Sequence, residues 1–143
     1  MCLLEIQPEL SPERACLQFY QHLNATNLDG KGLAFEWIDY SHEPELEVEI
    51  QRWVKKILIG TQQSLKQIDE RLRQTSQNWR LERMTWVDRN LLRLATYELD
   101  ACRDISAQVI IYEAVELAKR FSTENSPPFI HGILDKIKTE LGR

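Results

Sequence analysis

The C-terminal third of the chain combines cations and aromatic rings in a pattern that could bind nucleic acid. Lys119, Arg120 and Phe121 are followed by the polar turn 122–126 and by a second ring at Phe129. Proteins that read single-stranded RNA stack unpaired bases on aromatic or guanidinium faces and hold the phosphates with cations. Hydroxyls, an amide and unpaired backbone N–H groups at helix ends would add donors. The pattern predicts an RNA-reading surface; the alternative is that both rings close the core at helix ends.

A second candidate is a pair of carboxylates, Glu113 and Glu116, whose spacing puts them on one face of a helix. Their aliphatic neighbours favour a polar edge that makes ion pairs or hydrogen bonds to a neighbouring bundle, rather than catalysis. No serine lies at a useful spacing from a histidine, and there is no glycine-rich phosphate loop. We therefore predict no catalytic residues and do not expect an enzyme.

Composition predicts one soluble globular domain. Of the 143 residues 43% are hydrophobic, and five glycines and five prolines are ordinary numbers. No apolar run reaches the roughly 20 residues of a membrane helix, and no basic cluster precedes an apolar run at the N-terminus, so we expect a cytoplasmic protein without membrane association. The three cysteines and three histidines are scattered, so neither a metal site nor a cofactor is expected.

The net charge of −4 is unevenly distributed along the chain. Residues 1–50 contain two basic and ten acidic residues, whereas residues 51–143 contain sixteen basic and twelve acidic ones. Opposite net charges in two parts of a chain can indicate a nucleic-acid-binding surface. An excess of four positive charges over 93 residues is only weak support for such a surface. Most such charge is solvated helix surface, so the balance alone favours RNA binding only slightly.

Apolar residues recur at three- and four-residue steps, and no segment alternates with period two, which predicts an all-α protein of about seven helices in two small packed bundles. After a tail at 1–10, we expect an N-terminal helical subdomain at 11–75 and a C-terminal one at 79–143. The predicted helices cover 12–23, 33–40, one long element from Pro44 to Leu72, a short turn at 79–84, and three helices that begin after Thr85, at Ser106 and at Ser126.

Local signals support several of these boundaries. Thr85, Ser106 and Ser126 are residue types that cap helix N-termini, and Asp88 places a negative charge in the first turn after Thr85. Gly60 lies inside the long predicted helix, where glycine costs about 1 kcal/mol relative to alanine. We interpret Gly60 as a position that lets a neighbouring helix approach closely.

Two long blocks resemble a known family. Residues 86–99 read Trp-Val-Asp-Arg-Asn-Leu-Leu-Arg-Leu-Ala-Thr-Tyr-Glu-Leu, and residues 109–121 read Val-Ile-Ile-Tyr-Glu-Ala-Val-Glu-Leu-Ala-Lys-Arg-Phe, with a third match over 125–136. The order and spacing resemble the NusB family of bacterial transcription antitermination factors. The resemblance implies a NusB-like helical fold and a role in antitermination, without catalytic activity.

The resemblance also implies two binding surfaces. In NusB-like proteins, an arginine-rich first helix and the loop between the last two helices bind boxA RNA of nascent ribosomal RNA transcripts. With the cations Lys119 and Arg120 included, the RNA-contact candidates are Arg14, Tyr20, Lys119, Arg120, Phe121, Glu124, Asn125, Ser126 and Phe129. The ribosomal protein NusE would bind Asp88, Arg89, Arg93, Tyr97 and Glu98, whose charges could instead form ordinary helix salt bridges. The protein, as a monomer or a homodimer, would act on RNA polymerase indirectly, through the antitermination complex.

Some positions depart from the family pattern. Only Arg14 remains where family members carry several arginines, and Tyr20 matches with a one-residue shift. Pro128 stands where a cation is common, while Tyr112 and His131 replace frequent asparagines. Because each lost phosphate contact lowers affinity, we expect weak binding to RNA alone, with NusE supplying further contacts. The alternatives are a NusB-like protein-interaction module with little RNA affinity, or a fragment of a ribosomal RNA cytosine methyltransferase that shares this fold.

Overall fold

The computed structural model describes residues 44–76 and 80–143, and within these ranges the regular structure is entirely helical. The described residues belong to two compact units, 44–59 and Gly60–Arg143. The helices predicted at 12–23 and 33–40 lie outside the described residues, as do Arg14 and Tyr20. The subdomain limits predicted from the sequence remain predictions.

The long helix predicted from Pro44 to Leu72 is two helices, so this prediction is wrong. Helix α1 spans Pro44–Gln63 and helix α2 spans Leu65–Thr75. Ser64 between them has φ −98° and ψ 7°, outside the helical range. Its N–H still donates to the Gly60 carbonyl at 3.0 Å, and its own carbonyl accepts from the Ile68 N–H at 2.9 Å. Because hydrogen bonds of helical spacing continue across the junction, the apolar periodicity gives no sign of the break.

Helix α3 begins as the sequence predicts. The segment predicted as a short turn at 79–84 contains a 3₁₀ helix, Leu81–Arg83, and α3 then spans Trp86–Ala101. The Thr85 hydroxyl accepts a hydrogen bond from the Asp88 N–H at 3.1 Å, which satisfies one of the unpaired donors at the helix start. The predicted cap at Thr85 is therefore confirmed.

Helices α4, Ala107–Phe121, and α5, Ser126–Glu140, complete the described chain. Two predicted caps are wrong in detail. Ser106 occupies the predicted N-cap position of α4, but its hydroxyl donates to the side chain of Gln108 at 2.8 Å instead of accepting a backbone N–H of the helix. Ser126 is the first residue of α5 rather than its cap, and its hydroxyl donates to a carboxylate of α3.

The core lies where α3, α4 and α5 pack against one another, with α2 contacting α3 and α5. Each large aliphatic side chain buried there contributes about 1.5–3 kcal/mol. The fully buried members are Leu72, Leu81, Leu92, Leu99, Ile130, Leu134 and Ile137. The apolar stripe predicted for the C-terminal helix is confirmed, since Ile130, Ile133, Leu134 and Ile137 are all buried and Leu141 packs against the same core.

The described chain thus contains five α-helices and one 3₁₀ helix, rather than about seven helices. The difference has three sources: two predicted helices lie outside the described residues, one predicted helix is divided at Ser64, and the described part of the segment before α3 forms a 3₁₀ helix, Leu81–Arg83. The all-α class itself is confirmed for the described residues.

Candidate nucleic-acid interface

The loop between α4 and α5 is anchored by a buried carboxylate of α3. Asp88 is 6% exposed, and its two oxygens accept hydrogen bonds from Ser122 at 2.7 Å and from Ser126 at 2.9 Å. The Ser126 oxygen also lies 2.8 Å from the Thr123 hydroxyl and accepts the Thr123 N–H at 3.3 Å. Charge-assisted bonds of this kind are stronger than neutral ones, so the carboxylate fixes both ends of the loop.

The start of α3 joins the same network. The Thr85 hydroxyl, which caps α3, lies 3.3 Å from the Ser122 hydroxyl. The end of α4, the start of α5 and the start of α3 therefore meet at one polar junction, consisting of Thr85, Asp88, Ser122, Thr123 and Ser126. We call this the serine junction.

The two phenylalanines proposed to stack on RNA bases occupy different environments. Phe121, the last residue of α4, is 44% exposed and directly precedes Ser122 of the serine junction. Phe129, in the first turn of α5, is partly buried and packs against the apolar core. The ring of Phe121 thus offers an accessible face, whereas the ring of Phe129 contributes to the core.

The predicted cations Lys119 and Arg120 lie in the last turn of α4. The Lys119 ammonium contacts the Glu116 carboxylate at 2.5 Å, and this hydrogen bond and the carboxylate charge raise the pKa of Lys119. Glu116 was expected to pair with a neighbouring bundle, but it pairs within its own helix. Both cations are exposed. A positive charge at the C-terminal end of a helix also interacts favourably with the helix dipole.

The polar candidates of the loop divide into two groups. Glu124 and Asn125 are exposed in the turn before α5. Ser126 is 2% exposed, with its hydroxyl engaged by Asp88 and Thr123. The structure therefore assigns the Ser126 side chain a part in holding the loop, while Glu124 and Asn125 remain accessible to a ligand.

Two residues of the predicted protein-partner surface are held by contacts within the chain. The Arg93 guanidinium donates to both oxygens of Asp69 in α2, at 2.8 and 2.7 Å, and both side chains are largely buried. Tyr97 packs against Gly60, since a Cβ added to that glycine would lie 2.0 Å from the phenol carbon and oxygen. The predicted packing role of Gly60 is confirmed.

The remaining partner candidates are three charged residues of α3, namely Asp88, Arg89 and Glu98. Burial raises the pKa of Glu98, and the nearby Glu113 carboxylate raises it further. The Arg89 guanidinium carbon lies 5.4 Å from the centre of the Trp86 ring. Asp88, the fifth candidate, is the buried anchor of the serine junction.

Three residues of this region were not anticipated from the sequence. Asp69 and Ser122 act on partners 24 and 34 residues away, and no local pattern indicates such pairs. Trp86, the first residue of α3, is 50% exposed. The exposure of Trp86 could have been predicted from its spacing. Trp86 is five positions before the buried Leu91 and therefore lies about 140° around the helix from Leu91, away from the buried face.

A surface cavity of about 220 Å³ lies between α4 and α5. Its lining includes Tyr112 and His131, the two positions that depart from frequent asparagines in the family pattern. Among residues 44–76 and 80–143 no cluster of acidic, histidine or cysteine side chains is suited to a metal ion. Over the same residues, no helix has the length and apolar character needed to cross a membrane.

Comparison with known proteins agrees with this architecture. Over 131 residues the chain is 35% identical to the transcription antitermination protein NusB of Myxococcus xanthus, covering 92% of this chain and 94% of that protein. It is 46% identical over 91 residues to NusB of Sorangium cellulosum, covering 64% of this chain and 65% of that protein. A solved structure of T. maritima NusB superposes with a TM-score of 0.64 at 33% identity, covering 92% of each chain.

These similarities put the chain in a class of small all-helical transcription factors. Residues 13–139 match the model of the NusB family, and the chain belongs to that family. The resemblance found in the sequence is therefore confirmed.

Proposed function

We propose that the protein is a transcription antitermination factor that binds boxA-type RNA of nascent ribosomal RNA transcripts together with the ribosomal protein NusE. The proposal is supported by membership of the NusB family and by relatives that are transcription antitermination proteins. The observation that carries it is the position of Phe121, a half-exposed ring at the edge of a loop fixed by Asp88. A ring held next to a rigid polar loop suits an unpaired base, which stacks on its face.

The contacts divide between direct and supporting residues. Phe121, Glu124 and Asn125 would meet the RNA, with Lys119 and Arg120 near its phosphates. Ser126 would hold the loop through Asp88. Arg14, Tyr20 and Phe129 remain candidates by resemblance, although the ring of Phe129 packs largely inward.

The NusE surface would consist of the accessible parts of α3. Arg89, Tyr97 and Glu98 would meet the partner, while Arg93 and Asp88 would keep α3 in register with α2 and with the loop. RNA polymerase would be reached through the assembled complex, in the cytoplasm where transcription takes place.

The proposal is tested by titrating a labelled boxA-like RNA with the purified protein, with NusE, and with both. Binding by the mixture should exceed that of either protein alone. Phe121→Ala should weaken the ternary complex by about 1–3 kcal/mol, the cost of losing one stacked base.

Tyr112→Ala provides a matched control. Tyr112 is on the same helix and is 60% exposed, but nine residues of separation place it on the opposite face from Phe121. Its removal should leave RNA affinity unchanged. If NusE binds normally and the mixture shows no gain in RNA binding, the antitermination proposal fails and the protein-interaction module replaces it.

A further inference from the structure

Trp86 presents an unusually exposed aromatic surface next to the proposed RNA-binding loop. It is the first residue of α3, and its side chain is 50% exposed. Tryptophan is on average a highly buried residue, and a large exposed ring is more informative than an exposed aliphatic one. The ring is not part of the apolar core formed by α2 to α5.

A guanidinium group lies against this ring. The Arg89 guanidinium carbon is 5.4 Å from the ring centre, within the range of a cation–π interaction. The Nε of Arg89 is buried and has no hydrogen-bond partner among the described residues. No ion pair to Arg89 is found among residues 44–76 and 80–143, so none of the carboxylates described there neutralises its positive charge.

The Trp86 ring and the Phe121 ring flank the same junction. Thr85 precedes Trp86 and Ser122 follows Phe121, and the hydroxyl oxygens of Thr85 and Ser122 are 3.3 Å apart. With ordinary covalent geometry, the Cα atoms of Trp86 and Phe121 can be no more than about 16 Å apart. A few nucleotides of an extended single strand span such a distance, so one strand could contact both rings.

The surroundings of Trp86 favour an anionic ligand. Arg80 and Arg83 are exposed in the segment that leads into α3. The intervening carboxylate, Glu82, is paired with Arg73 at 3.4 Å. An aromatic face with a neighbouring guanidinium and further cations is the combination that single-stranded nucleic acid binds, through stacking and phosphate contacts.

We propose that Trp86 and Arg89 form a second base-stacking position of the RNA interface, continuous with Phe121 across the serine junction. This inference rests on the proposed function, because it assigns further contacts to the same RNA. The Trp86 ring stacks on a base, and the Arg89 guanidinium extends that platform and faces the phosphate backbone. Arg89 then contacts the RNA and is no longer a candidate contact for NusE.

The test compares Trp86→Ala, Trp86→Phe and Tyr112→Ala in the complex of the full chain, NusE and a boxA-like RNA. Trp86→Ala should weaken RNA binding about 5- to 150-fold, which corresponds to the loss of one stacked base. Trp86→Phe keeps a ring and should recover most of the affinity, whereas a merely structural role would not require an aromatic face. Tyr112→Ala should bind RNA as the unmodified protein does, and all three should capture NusE normally without RNA.

Three results would overturn the inference. If Phe121→Ala weakens RNA binding and Trp86→Ala does not, the RNA site ends at Phe121 and the proposed function stands without this extension. If Trp86→Ala weakens capture of NusE without RNA, the exposed ring is a protein contact. If the unmodified complex binds no RNA, the inference falls together with the proposed function.

Discussion

The carboxylate of Asp88 accepts a hydrogen bond from the hydroxyl of Ser126 at 2.9 Å, although the two residues are 38 positions apart and both are buried. This contact ties the start of α5 to the start of α3. A second bond from Ser122 to the other carboxylate oxygen ties in the end of α4. The conformation of the loop that carries the candidate RNA contacts therefore depends on one acidic side chain of another helix.

Replacing Asp88 with alanine should lower the free energy of unfolding by about 1–3 kcal/mol, because the buried hydroxyl of Ser126 and the partly buried hydroxyl of Ser122 lose their acceptor. It should also weaken RNA binding, since the loop is no longer fixed. Urea denaturation measures the first effect. Asp100→Ala is the control: Asp100 is 58% exposed and its contact with Arg103 is 3.9 Å long, so stability should change by no more than about 0.5 kcal/mol. Equal losses in both variants would contradict the anchoring role of Asp88.

The part of this junction that local sequence determines was predictable. Thr85 caps α3 through a bond to a residue three positions later, and that spacing can be seen in the sequence. The bond from Ser126 to Asp88 depends on the packing of α3 and α5, which a single sequence does not specify. Ser126 was therefore interpreted as a helix cap, because serine is favoured at the cap and proline at the first helical position.

The same distinction between local contacts and contacts made by helix packing explains the other differences between prediction and structure. Internal pairing among the charges of α3 was the expected alternative for Arg93, but its guanidinium binds Asp69 in α2, 24 residues earlier. The division at Ser64 was missed because apolar spacing is preserved across it. By contrast, Gly60 was interpreted correctly. Glycine destabilises a helix interior, and a close neighbour that leaves no room for a Cβ is one of the few reasons for its presence there.

Gly60→Ala tests that close approach. In an exposed helix the change would stabilise by about 1 kcal/mol. Here the new Cβ would lie 2.0 Å from the Tyr97 ring, so we expect a net destabilisation of about 1–3 kcal/mol from overpacking. Urea denaturation measures the effect of Gly60→Ala in the unmodified protein and in the Tyr97→Ala background. In the Tyr97→Ala background Gly60→Ala should become neutral or stabilising, and a cost that persists there would assign the effect to some other contact.

Thr96→Val should stabilise the protein. Thr96 is 1% exposed, and its hydroxyl has no hydrogen-bond partner in the described residues. Valine has nearly the same shape and removes the unsatisfied group, so we expect a gain of about 1 kcal/mol in the free energy of unfolding. Thr75→Val is the matched control with the opposite sign, because the Thr75 hydroxyl donates to Glu140 at 3.3 Å. A loss of stability in Thr96→Val would mean that the hydroxyl has a partner, such as a bound water.

Glu98→Gln should make stability less dependent on pH. Burial, with the charge of Glu113, raises the pKa of Glu98 above its ordinary value of 4.5. The folded state therefore holds this proton more tightly than the unfolded state. The ionised carboxylate lowers stability as pH rises above about 4.5, and the cost is complete above the raised pKa. Glutamine is neutral throughout, so Glu98→Gln should be more stable than the unmodified protein at pH 7.5 and equally stable near pH 4.

Urea midpoints at pH 4 and pH 7.5 measure this difference. Glu113→Gln provides the internal comparison, because it removes the repelling charge but leaves Glu98 buried. It should give a smaller gain at pH 7.5 than Glu98→Gln, since burial is the larger cause of the shift. If the stability of Glu98→Gln relative to the unmodified protein instead increases toward acid pH, the pH dependence is opposite to the one expected. It would indicate that the ionised Glu98 is stabilised in the folded state by a cation, rather than opposed by burial.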